Sequence, residues 1–95
     1  MQSGIFAVVT IGSYRLYIGE VHHLEQRWKP ALAQLNQGNY PDIQLQQTWN
    51  RVGGKRRFTF HTSKDLIEDL ELLERAQFLA DVESQRTAVP KSSRG

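Results

Sequence analysis

Tyr17 carries a phenol that can donate, accept or surrender a proton, and Arg27 a guanidinium that stays charged and grips oxyanions through a planar fork of N–H donors. Arg51, Lys55, Arg56 and Arg57 crowd around the Gly53-Gly54 pair, and with Arg15, Arg27 and Lys29 they supply the cations needed to follow a phosphate backbone. The same crowding also fits a solvated loop, so charge alone selects no partner. His22, His23 and His61 show no helical four-residue pairing and no cysteine or acidic partners, so they are assigned no metal. With no cysteine in the chain, a thiolate site, a cysteine nucleophile and a disulfide scaffold are all excluded.

Ninety-five residues, 39% of them hydrophobic, suffice for one small domain and one modest core. The net charge of +2 hides an asymmetry. Residues 1–63 hold seven Lys/Arg against three Asp/Glu, residues 64–85 two against seven, and residues 86–95 three against none. A basic front beside an acidic back suits a face for a polyanion and a solvated face behind it. No apolar run approaches the roughly 18 residues of a membrane span. Residues 5–11 lack the basic leader and cleavage site of a signal peptide. A soluble cytoplasmic protein is expected.

Residues 5–10 are apolar and β-branched, and after Gly12-Ser13 the segment 14–18 alternates, which reads as a hairpin. A two-residue turn would set Val8 opposite Tyr17 and Phe6 opposite Gly19. Phe6 then lies diagonal to Tyr17, about 7–8 Å away on one sheet face. Arg15 shares that face, and bare Gly19 leaves room beside it. Leu24, Trp28, Leu32 and Leu35 mark an amphipathic helix that Pro30 either bends or delays to about Lys29. Asp42 caps a second helix with Leu45, Trp49 and Val52 inward, closed by Gly53-Gly54. Residues 57–61 alternate as a third strand. Thr62 or Ser63 caps a last helix with Leu66, Leu70, Leu73, Ala76 and Ala80 inward. The expected fold is α+β, a small three-stranded antiparallel sheet flanked by helices in the order β-β-α-α-β-α. It occupies residues 1–86, followed by a disordered basic tail over 87–95.

Gly4-Ile5-Phe6, then Tyr17-Ile18-Gly19, then Arg27, Leu45-Gln46, Asn50 and Leu72-Leu73-Glu74-Arg75 together resemble the GIY-YIG nuclease family over about residues 3–82. The resemblance implies the same layout. It implies that Tyr17 and Arg27 are retained catalytic positions, Arg27 bracing the phosphate under attack. Phe6 stands where the family has a tyrosine that helps activate water. Ala31, one helical turn after Arg27, stands where a histidine or tyrosine is common, and Tyr40 falls in a loop where some relatives carry a histidine. Gln77 sits where an asparagine or glutamine is frequent. Counting from the third strand places the family's metal-binding glutamate at Lys64, which cannot ligate magnesium while protonated. Asp65 would rescue it only with a one-residue shift. In that reading the Lys64 ammonium replaces the cation and contacts a phosphate itself.

A positioned acid or base contributes typically 10²–10⁴ in rate, so losing the functions of positions 6, 31 and 64 leaves little cleavage. The expected function is a nucleic-acid-binding or regulatory module without a cofactor, on DNA before RNA, through Arg15, Arg27, Lys29, Arg51, Lys55, Arg56, Arg57 and Lys64. One alternative is a divergent endonuclease using Tyr17, Arg27 and Asp65 with magnesium or manganese. The other is a protein interaction domain that uses Trp28, Trp49 or the last helix and keeps only a vestigial cleft.

Overall fold

The computed structural model describes residues 4–94, with side chains as far as Ser84. Strands β1 (Phe6–Ile11) and β2 (Tyr14–Glu20) form the hairpin, and a 3-10 turn at Val21–His23 leads into α1 (Leu24–Gln37). Helix α2 (Ile43–Arg51), β3 (Arg57–His61), α3 (Ser63–Ile67), β4 (Leu72–Leu73) and α4 (Arg75–Arg94) follow. The strands lie in the order β3-β1-β2-β4, with β1 antiparallel to β2 and β3, and β4 parallel to β2.

The unbroken apolar run of β1 follows from its central place, because both of its faces are covered. Ala7, Val9 and Ile11 pack with Leu16, Ile18, Trp28, Leu35, Leu45 and Trp49 under α1 and α2. Phe6 and Val8 pack with Tyr17, Leu66, Leu72 and Phe78 under α3 and α4. The sheet is thus the middle of three layers. Gly12 has φ +61 at the first position of the two-residue turn, as a type II′ hairpin requires.

The register follows expectation only from Val8 onward. Val8 faces Tyr17, but Ala7 faces Gly19 and Phe6 faces Glu20, so the pairing passes over Ile18 in a β-bulge. Phe6 and Tyr17 still converge, with ring centroids 6.2 Å apart. Helix α1 continues through Pro30 and begins before it, so Arg27 is helical.

The expected three-stranded antiparallel sheet is corrected to a four-stranded mixed one, because the helix expected after Thr62 is broken. The Thr62 hydroxyl accepts from the Asp65 amide at 3.4 Å and the Asp65 carboxylate accepts from the Thr62 amide at 3.4 Å, a capping box that opens α3. Arg75 reaches back to donate to the Leu66, Ile67 and Asp69 carbonyls, closing α3 after a single turn. Asp69 then pairs with Arg15 at 2.5 Å. Leu72 and Leu73 are left extended beside Arg15 and Leu16. Leu70, assigned inward by its periodicity, is 88% exposed. Over the expected basic tail, the backbone to Arg94 continues α4, while its side chains and Gly95 lie outside the described residues. No helix among the described residues is long and apolar enough to cross a membrane.

Candidate functional site

Strand β4 pairs only with Arg15 and Leu16, so the edge of β2 from Tyr17 to Gly19 lies beyond its end. At Glu74 the chain leaves β4 with φ +61, the one positive φ among the described non-glycine residues, and turns into α4. A cleft of about 380 Å³ opens there between α1, β2 and the start of α4. Its polar walls are Tyr17, Gln26, Arg27, Gln34, Tyr40, Glu74 and Gln77. Pro30 and Ala31 lie in the same wall of α1, and the proline has no N–H to return to the Gln26 carbonyl.

Arg27 arrives from α1 by lying across Gly19. A Cβ at that glycine would stand 2.7 Å from Arg27 Cδ and 2.9 Å from its Nη1, so the missing side chain is the slot the arginine fills. From the other face α4 supplies Asp81, whose Oδ2 accepts from Arg27 Nη1 at 2.6 Å and from the Tyr17 hydroxyl at 2.7 Å. Arg27 Nη2 reaches Oδ1 at 3.4 Å. Gln77, with its amide turned to satisfy both ends, accepts from Arg27 Nη1 at 3.2 Å and donates to Glu74 Oε2 at 2.8 Å. The Tyr40 hydroxyl donates to Glu74 Oε1 at 3.4 Å. Gln77 and Asp81, four apart, share one face of α4, and Glu74 joins them from the residue just before the helix.

Burial first, then the hydrogen bond and charge of Asp81, pushes the Tyr17 phenol well above its ordinary value of 10.0, against the pull of Arg27. Burial first, then the charge and hydrogen bond of Glu74, does the same to Tyr40. The bond to Asp81 raises Arg27 against its partial burial. At neutral pH the cleft therefore presents two protonated phenols and one fixed cation, Tyr40 bonded to Glu74 and Tyr17 and Arg27 to Asp81. Arg27 is the group there that can bind an oxyanion, and it is already paired with Asp81.

Tyr17, Arg27, Tyr40 and Ala31 meet at this cleft. Lys64 is exposed on α3 and does not line it, whereas Glu74 does. Asp65 is held in the capping box. Phe6 is 2% exposed, between Tyr17 and Phe78, as a core aromatic. None of Arg15, Lys29, Arg51, Lys55, Arg56 and Arg57 lines the cleft. Arg15 is paired with Asp69, and the Arg56 guanidinium lies 5.6 and 5.7 Å from the ring centroids of Trp28 and Trp49. Both tryptophans belong to the core, edge to face at 6.4 Å, so an interaction surface made by them is corrected to packing. Gln77 was named in the sequence reading, whereas Glu74 and Asp81 were given no role there. Glu74 was visible in the Leu72-Leu73-Glu74-Arg75 segment, while Asp81 had no signal beyond its seven-residue spacing from Glu74.

The chain is similar to intron-associated endonuclease 1 of Enterobacteria phage T4, 32% identical over 53 residues. That stretch is 56% of this chain and spans 22% of the phage protein's length. No family model matches the chain, and no solved structure does.

Proposed function

We propose that this chain is a degenerate nuclease-like domain of the GIY-YIG kind that binds a nucleic-acid phosphodiester, DNA before RNA, in the cleft between α1 and α4. It acts in the cytoplasm as a binding or regulatory module with little cleavage of its own. The observation that carries this reading is the convergence of Tyr17, Arg27 and Glu74, from three separate segments, on one open cleft. Similarity to a phage endonuclease supports it. Arg27 braces the phosphate charge. Loss of turnover is supported by Phe6, which offers no oxygen, and by Ala31, which presents a methyl group. Tyr17 adds to this, since its proton is held by burial and already donated to Asp81.

The test joins binding to cleavage. Labelled duplex and branched DNA titrated across a range of salt should bind with an affinity that falls steeply as salt rises. The DNA should stay intact with magnesium or manganese at protein excess. Absence of binding at low salt rejects the proposal.

A divergent metal-dependent endonuclease is the second reading, favoured by the left-handed backbone that turns the Glu74 carboxylate into the cleft. Among the described residues no three acidic, histidine or cysteine groups gather, but magnesium is commonly held by one or two carboxylates and water, which Glu74 fits. Bound there, the ion would supply Lewis-acid stabilisation of the phosphate. Metal-dependent nicking that disappears in Glu74→Gln would decide for this reading.

A further inference from the structure

Tyr17 has one hydroxyl proton, and it is committed to Asp81 at 2.7 Å. Arg27 spends one Nη1 donor on Asp81 at 2.6 Å, the other on Gln77 at 3.2 Å, and approaches the second Asp81 oxygen with Nη2 at 3.4 Å. One carboxylate thus collects three donors from a β-strand and from a helix on the opposite sheet face. A tetrahedral oxyanion presents acceptors of the same kind to such a fork. The local charge points the same way. Asp81 pairs with Arg27 directly and Glu74 is linked to it through Gln77, so two carboxylates stand against one guanidinium towards an incoming phosphate.

We propose that Asp81 is a resident anion holding the phosphate position of this cleft, so that a phosphodiester binds only by exchanging with it at Arg27 and Tyr17. The inference rests on the phosphodiester-binding reading above. The exchange needs little rearrangement. Asp81 and Arg27 are both partly exposed, with side-chain accessibilities of 23% and 33%, so the carboxylate can turn outward while α4 stays in place. An internal contact closed nine-tenths of the time lowers apparent affinity about ten-fold, because only the open fraction binds.

The experiment compares the full chain with Asp81→Asn and Asp81→Ser by fluorescence anisotropy on labelled duplex DNA at fixed salt. Inorganic phosphate is titrated in parallel by phosphorus NMR, after thermal melts confirm folding. Glu83→Gln, which removes a charge from an exposed position of the same helix, is the control for general electrostatics. The expected result is a gain of about ten-fold or more in both Asp81 variants, none of that size in Glu83→Gln, and loss of the gain when Arg27→Gln is added. Unchanged or weakened binding of both probes by the folded Asp81 variants overturns the proposal. So does an equal gain in Glu83→Gln. If no protein binds DNA but the Asp81 variants still gain on inorganic phosphate, the exchange stands and the nucleic-acid reading fails.

Discussion

Gly19→Ala should damage the cleft as well as the fold, and Gly38→Ala supplies the comparison. A Cβ at Gly19 would lie 2.7 Å from Arg27 Cδ, 2.9 Å from Nη1 and 3.1 Å from Nε, where ordinary contact starts at 3.4 Å. The arginine must therefore retreat by about 0.7 Å, from a position in which Nη1 now sits 2.6 Å from Asp81. Its side chain is flexible, so the steric cost is small, but the guanidinium no longer fits its place. The backbone at Gly19, with φ +145, costs an alanine about 1–3 kcal/mol by itself. Losing a partly exposed ion pair adds at most about 1 kcal/mol. For a domain of this size each kcal/mol lowers Tm by roughly 4–8 °C, so a fall of about 5–30 °C is expected. Gly38 has φ +79 with nothing within 4 Å of a built Cβ, so its alanine variant bears only the left-handed strain, about 1 kcal/mol. Circular-dichroism melts give the stabilities, and DNA binding is compared well below both transitions. Gly38→Ala should bind as the parent does, and Gly19→Ala at least about ten-fold more weakly. A folded Gly19→Ala that binds DNA like Gly38→Ala would refute the claim that the glycine exists to seat Arg27.

Tyr17 and Tyr40 have native phenol pKa values raised above 10.0, so the stability they contribute is fully present below pH 10 and is lost as pH climbs beyond it. Denaturant titrations across that range should show the loss, with a smaller fall in Tyr40→Phe. Absorbance showing both phenols ionising near pH 10 in the folded protein would contradict this. Arg56→Ala removes a cation from over two tryptophans and should destabilise by about 1–2 kcal/mol in chemical denaturation, and an unchanged midpoint would show that the stacking contributes nothing. Lys64→Glu should add no metal-dependent nicking, because position 64 is outside the cleft. In a Phe6→Tyr, Ala31→His background any nicking gained, up to about 10²–10⁴-fold, should vanish on Glu74→Gln, and nicking that survives it would remove Glu74 from the site.

The hairpin, Asp42 as the cap of α2, and β3 over residues 57–61 were legible because each is set by local chemistry: a two-residue turn, a carboxylate accepting from Leu45 at 3.1 Å, and strict alternation. The segment from Thr62 to Arg75 was not. Leu66, Leu70 and Leu73 repeat as a helix would, but the break depends on Arg75 and Asp69 finding partners that are distant or out of register. Of the cleft, Tyr17 and Arg27 could be read from motif spacing. Glu74 was read as part of a motif without a role, and the basic turn lies outside the cleft.

Passing over Ile18 in the pairing of β1 with β2 has a further consequence. It breaks the in-and-out parity of the strand, so Tyr17 looks towards α4 while Gly19, two residues on, opens towards α1. Residues two apart on a regular strand would share a side, and a helix on one side could not meet a helix on the other at this edge. The bulge therefore acts as a reading frame: were Ile18 taken into the pairing, Tyr17 and Gly19 would share a side and Arg27 would lose its slot, with every side chain of the cleft still encoded.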